Sequence, residues 1–166
     1  MGMKQTIDDM YDCLVKDESL LRLVYYPPEK HGVSPDPLDP SLKDILSRDI
    51  SERWDIIDKH ILLSSKSSDL VEENICRIYV HLGNRVPNTN GSFKVATQEV
   101  HIDILTHESY EYDSRIARIC DRINELLIHN RITGLGMVEY VRGLPHPAPQ
   151  TYSGYRQTYK VGNTKK

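Results

Sequence analysis

Ile75-Cys-Arg-Ile-Tyr-Val-His-Leu82 is the stretch that decides the fold. Cys76, Ile78, Val80 and Leu82 alternate with Arg77, Tyr79 and His81, the period of two that sends successive side chains to opposite faces of a β-strand. Downstream, Val100, Ile102 and Ile104 alternate in the same way with Glu99, His101 and Asp103, within a second predicted strand from Phe93 to His107. Together they predict an antiparallel hairpin with a long polar tip over 83–92. The alternation slips phase between Val95 and Val100, which predicts a bulge or bend there.

Working outward, Ile116, Ile119, Cys120, Ile123, Leu126 and Leu127 recur at helical spacing and predict an amphipathic helix that starts at Asp113 and ends at Asn130 or Gly134. Ile116, Ile119, Ile123 and Leu127 are its core-forming residues. Arg115, Arg118 and Arg122, with Asp121 and Glu125, lie away from the centre of that stripe and read as a solvated basic row. Met137 to Val141 reads as a third strand. Tyr155 to Val161 reads as a fourth, with Tyr155, Gln157, Tyr159 and Val161 on one face, and Leu144 to Pro149 is a proline-rich link before it.

Upstream, Ile7, Met10, Tyr11, Leu14 and Val15 predict a helix from Thr6 to about Val24, capped by Thr6 and interrupted near Asp17. Tyr25-Tyr-Pro-Pro28 stops it, since proline lacks the amide donor and restricts the residue before it. Pro27, Pro28, Pro35, Pro37, Pro40 and Gly32 exclude a regular element over 27–40 and predict an extended arm. Ser41 is positioned to cap a short helix to about Ser47, and Trp54 to Leu63 reads as a short helix or strand before the polar serines 64–68. The class is therefore α+β: one domain over 1–166, a mainly antiparallel sheet of about four strands flanked by helices, and a proline-rich arm at about 27–40.

A chain of 166 residues can bury roughly 70% of the surface its unfolded form exposes. Its 39% hydrophobic and 27% charged residues are those of a globular protein. The net charge of −3 does not advertise a nucleic-acid or phospholipid surface. No apolar run reaches membrane length, and no signal-peptide core follows Met1. Cys13, Cys76 and Cys120 are far apart, lack metal-ligand spacing, and read as reduced, buried hydrophobes in a cytosolic setting. Ten tyrosines against one phenylalanine and one tryptophan suit surfaces that are buried only against a partner.

Chemistry-bearing patterns are sparse. No Gly-rich phosphate loop, nucleophile elbow or HExxH helix occurs. His81, His101 and Asp103 fall on the polar face of the predicted hairpin, where two imidazoles and a carboxylate could act as metal ligands or as an acid–base set. That pattern defines one alternative, a small metal-dependent hydrolase or nuclease. The arginine row defines another, a nucleic-acid-binding adaptor.

Several stretches, in order, resemble the tail-terminator (head-to-tail joining, or neck) family of tailed bacteriophages. They are Leu20-Leu-Arg-Leu-Val-Tyr-Tyr-Pro-Pro28, Asp36-Pro-Leu-Asp-Pro40, Arg77-Ile-Tyr-Val-His81 and Gln98-Glu-Val-His-Ile-Asp103, then the helix from Asp113 to Ile128, Ile132-Thr-Gly-Leu-Gly136 and Tyr155-Arg-Gln-Thr-Tyr159. The resemblance spans nearly the whole chain and rests on diffuse hydrophobic patterns. It implies a structural virion protein rather than an enzyme, with no catalytic residues and no cofactor or metal. It also implies a ring, typically a hexamer, that caps the tail tube in the virion neck after assembly in the host cytoplasm. Its partners would be its own copies, the tail-tube protein and other neck proteins, with DNA only passing through and no membrane. Partner contacts are expected at the loop and the arm, which are long, polar or proline-rich, and at exposed tyrosines. Arg85, Asn88, Asn90, Pro28, Pro35, Tyr155 and Tyr159 are the candidates.

Overall fold

A computed structural model describes residues 2–87, 96–134 and 136–162. The chain opens with α1 (Met3–Val15) and α2 (Glu18–Tyr25), which meet where the sequence predicts a break. Asp17 makes that break: its carboxylate accepts from the Leu20 amide at 2.8 Å and caps α2. Thr6 does not cap α1. The N-cap is Gly2, and Thr6 lies buried in the first turn with its hydroxyl donating to the Gly2 carbonyl.

Residues 41–47 form turns rather than the expected helix. The reason is Glu18, whose carboxylate accepts from the Ile45 and Leu46 amides at 2.6 and 2.9 Å and so supplies partners that a helix would otherwise provide. Arg22 holds the same segment from the other side, donating to the Asp39 and Leu42 carbonyls and pairing with Asp44. The arm is fastened by a further pair, Arg118 to Asp36 at 2.9 Å.

Next come α3 (Ile50–His60) and, directly after it, β1 (Ile61–Leu62), then the short α4 (Leu70–Glu73). The hairpin consists of β2 (Cys76–Pro87) and β3 (Ala96–His107). Cys76↔Thr106 through Leu82↔Val100 pair in register, with a shift between Leu82 and Arg85. The shift is a bulge in β2, which spends one more residue than β3 there; β3 itself alternates without a break from Ala96 to Val100, and Val95, where the expected phase slip begins, lies outside the described residues. Of the expected loop over 83–92, residues 83–87 belong to β2, through the bulge and beyond it, and 88–92 lie outside the described residues.

A 3-10 helix (Glu108–Asp113) and α5 (Arg115–Leu127) follow. The helix does not begin at Asp113, because Ser114 sits in the left-handed region at φ 56° and separates the two elements. It ends at Leu127, ahead of Asn130 and Gly134. The last strands are β4 (Glu139–Pro145) and β5 (Tyr152–Gly162), both longer than the sequence predicts.

The fold is α+β, with a five-stranded sheet in the order β1-β2-β3-β5-β4. Of these five strands only β1, too short to read from periodicity, is paired in parallel with its neighbour. β5 lies between β3 and β4 and is antiparallel to both, so the connection through α5 spans a gap that a later strand fills.

One face carries the main core. Met10, Leu14, Leu20, Leu21, Ile57, Ile119, Ile123 and Leu127 from the helices pack on Cys76, Ile78, Val80, Val100, Ile102, Ile104, Tyr159 and Val161. Ile116 is only partly buried at its margin. On the opposite face a smaller cluster of Leu70, Ile75, Tyr79 and Leu105 is covered by α4 and by the proline-rich link 146–149. The link can lie this close because residue 154 is glycine: a Cβ there would meet the His146 carbonyl at 2.4 Å.

Candidate functional site on the polar face of the sheet

The strand register brings His81 opposite His101, and Asp103 opposite both Tyr79 and Arg156. The three residues singled out by the hairpin reading are therefore neighbours. His81 Nε2 lies 2.7 Å from Asp103 Oδ2, and the two imidazole rings are 5.5 Å apart. Asp103, however, is not solvated. It is 3% exposed, and Arg156 donates to both of its oxygens, Nε to Oδ1 at 2.6 Å and Nη2 to Oδ2 at 2.9 Å. His146 Nε2 approaches Oδ2 at 3.7 Å. Burial opposes ionisation of Asp103, but the Arg156 and His81 hydrogen bonds outweigh it and hold the carboxyl well below the usual carboxylate range.

This geometry bears on the chemistry open to the site. A metal would need the carboxylate oxygens that Arg156 already occupies as the resident cation. Among the described residues no group of three or more His, Cys, Asp and Glu side chains could hold a metal ion. His101 Nδ1 meets Thr158 Oγ1 at 2.9 Å, a base beside a hydroxyl, yet Thr158 is 1% exposed and has no room for a substrate beside it. Burial and the nearby Arg156 charge lower the His101 imidazole. The thiols of Cys76 and Cys120 are pushed up to about 12 by burial, which keeps both protonated at neutral pH. The arrangement suits a fixed polar lattice across three strands, and one shallow depression of about 170 Å³ opens beside it, between Ser67, His146 and Arg156.

The arginine row also differs from its expected role. Arg115 is fully buried. It donates to the Leu23 and Tyr26 carbonyls at 2.6 Å each, so it satisfies the end of α2, and it pairs with Asp113 at 2.8 Å. Arg118 pairs with Asp36 and Asp113, and Arg122 with Asp17 at 2.6 Å. The three cations stitch α5 to the arm and to α2 rather than forming a solvated face.

Of the partner-contact candidates, Asn88 and Asn90 lie outside the described residues. Tyr159 is 0% exposed and donates to Asn124 Oδ1 at 2.5 Å, and Pro28 is buried, so neither presents a surface in this conformation. Pro35 and Tyr155 are half-buried, as is Arg85, whose Nη1 donates to Gln98 Oε1 at 3.2 Å. Arg156 and His146 escaped the sequence reading. Their signal was faint: one of two charges inside a tyrosine-rich strand, and a histidine between prolines.

The YomW family model matches residues 17–161. The SPbeta prophage-derived protein YomW of Bacillus subtilis (strain 168) is 33% identical over 177 residues, an alignment that covers 98% of this chain and 100% of that protein. Among solved structures, a chain from the virion of the native gene transfer agent particle shares the fold with a TM-score of 0.56 at 10% identity, over 96% of this chain and 94% of that one.

Proposed function

The chain belongs to the YomW family, and from that premise we propose that it is a structural virion protein: a ring-forming tail terminator or neck connector that caps the tail tube and joins it to the head. The observation that carries the reading is the near full-length likeness of fold to a chain of a virion particle, found alongside a relative encoded by a prophage. The partners are its own copies, the tail-tube protein and neighbouring neck proteins, and DNA passes through without being read. The ion pairing of Arg115, Arg118 and Arg122 within the chain weighs against the nucleic-acid adaptor. The occupation of Asp103 by Arg156 weighs against the metal-dependent hydrolase.

Mass photometry at micromolar concentration, alone and with tail-tube protein, tests the reading. A closed oligomer of defined size is expected. A chain that stays monomeric under both conditions overturns it, as does reproducible hydrolytic turnover that disappears with His101→Ala.

A further inference from the structure

The two ends of the sheet carry different halves of a contact. β4 closes one end, so among the described residues one side of its backbone faces no strand. Tyr140, Val141 and Leu144 on it are 41, 38 and 46% exposed, and Arg142 is exposed between them. An open edge with apolar side chains is a template for another chain. The register shift between Tyr140 and Arg142, and Pro145 at the strand end, keep such pairing from running the full length of β4.

At the other end β1 has only two residues, and Trp54, Leu63 and Val71 around it are 40, 46 and 68% exposed. Beside them runs an open groove of about 420 Å³. Two pairs within it are internally matched, Lys59 with Glu73 and Arg77 with Asp69, both at 2.6 Å. Asp55 and Asp58 add two exposed carboxylates along the same wall, on α3. Lys66 also lines the groove, and the exposed Glu139 on β4 is paired with Lys160, so one end presents apolar side chains around the cation Arg142 and the other presents apolar side chains beside an excess of carboxylates.

We propose that the β4 edge of one copy docks on the α3–β1–α4 end of a second copy of this chain, with Arg142 facing Asp55 and Asp58. The assignment rests on the ring reading above and names the surfaces that make the ring. The contact is heterologous, joining two different patches, and heterologous contacts close into rings when the rotation between neighbours permits. Burying Tyr140, Val141 and Leu144 against Trp54, Leu63 and Val71 supplies the apolar centre, and the charges fix partner and register.

Charge reversal tests the pairing. Arg142→Glu, and separately Asp55→Arg with Asp58→Arg, should each weaken self-association at least about tenfold in mass photometry, the scale expected when opposed charges become like charges. A chain carrying all three reversals should regain wild-type association. All three positions are exposed, so melting temperatures should be unchanged. If a reversal does destabilise the chain, the alanine variants at the same positions, which add no like charge, should give the same ranking. A wild type that associates while both reversal variants associate equally well overturns the assignment and leaves the ring reading standing. Loss in both variants without recovery in the combined chain also overturns it, since the patches would then not face one another. A wild type that never associates overturns the ring reading and this assignment together.

Discussion

Ile78 and Tyr79 are neighbours in β2 and face Ile104 and Asp103 across the same ladder, yet the two faces they serve are held by different forces. Under the helices the contact is apolar and continuous: Ile78, Ile104, Ile119 and Ile123 are all fully buried. On the other side Arg77 and Asp103 are just as thoroughly removed from water, at 2 and 3% exposure, but each is matched by an ion partner. Arg77 binds Asp69 through both carboxylate oxygens and donates to the Lys59 and Lys66 carbonyls. The first face depends on filling volume. The second depends on every polar group finding its partner, and an error there leaves a buried charge unpaired.

The largest expected effect tests the first half of that contrast. Ile123→Ala should cost about 2–5 kcal/mol in denaturant unfolding, through lost transfer energy and the cavity left behind. A loss under about 0.5 kcal/mol, the level of an ordinary surface substitution, would mean that α5 does not carry the core.

Among the buried ionisable groups of the helix-covered face is His60. Its Nδ1 meets the Cys76 carbonyl at 2.8 Å, and burial lowers its pKa from 6.5 to about 4. The unfolded chain therefore takes up the proton first. Stability is fully present above pH 6.5 and falls as the pH drops towards 4, by on the order of 3 kcal/mol for a shift of this size. Chemical denaturation of wild type and His60→Gln across that window should show a shallower slope in the variant. Parallel slopes would show that His60 is not held neutral.

Asp103→Ala sharpens the second half of the contrast. It strips Arg156 and His81 of their shared acceptor, but both retain some exposure and can turn to water. The cost should therefore be about 1–3 kcal/mol, below that of Ile123→Ala. A cost above the core deletion would reverse the ranking of the two faces. Smallest of all is Lys160→Ala, which removes the Lys160–Glu139 pair at 3.0 Å, exposed on both sides. It should change stability by less than about 1 kcal/mol, and a larger loss would indicate that β4 is tied to β5 mainly by charge.

The two faces were unequally legible in the sequence. Apolar alternation identified the core side of β2 and β3 because only backbone period and hydrophobicity were needed, and both are local. The same pattern on β5 grouped Gln157, Tyr159 and Val161 on one face but did not say which side it served, and Tyr159, expected at a partner surface, lies in the core. Alternation also made Arg77 and Asp103 look solvated, because their partners come from distant segments: Asp69 precedes the hairpin, and Arg156 follows a helix and two links. Arg115 was misread for a similar reason. Its spacing on α5 is visible, but the Leu23 and Tyr26 carbonyls it satisfies lie about ninety residues earlier. The turns at 41–47 were missed because Glu18, a remote carboxylate, takes over the amides that would have made a helix. Of the polar site, the grouping of His81, His101 and Asp103 could be read from strand pairing. Its chemical meaning could not, since Arg156 decides it.

The insertion of β5 between β3 and β4 sets a timetable. In the order of synthesis β4 emerges before the strand that attaches it, so it has no place in the sheet until β5 has threaded into the gap. Such non-local pairing closes late, after the local β2–β3 hairpin and the helices have had their chance to form. The edge that we assign to contact between copies therefore joins the sheet only when β5 pairs with β3, the non-local step. Nascent chains crowded on one message carry the α3 end of that contact early and the β4 end late. If copies meet through that edge, mutual recognition waits for molecules in which β5 is in place.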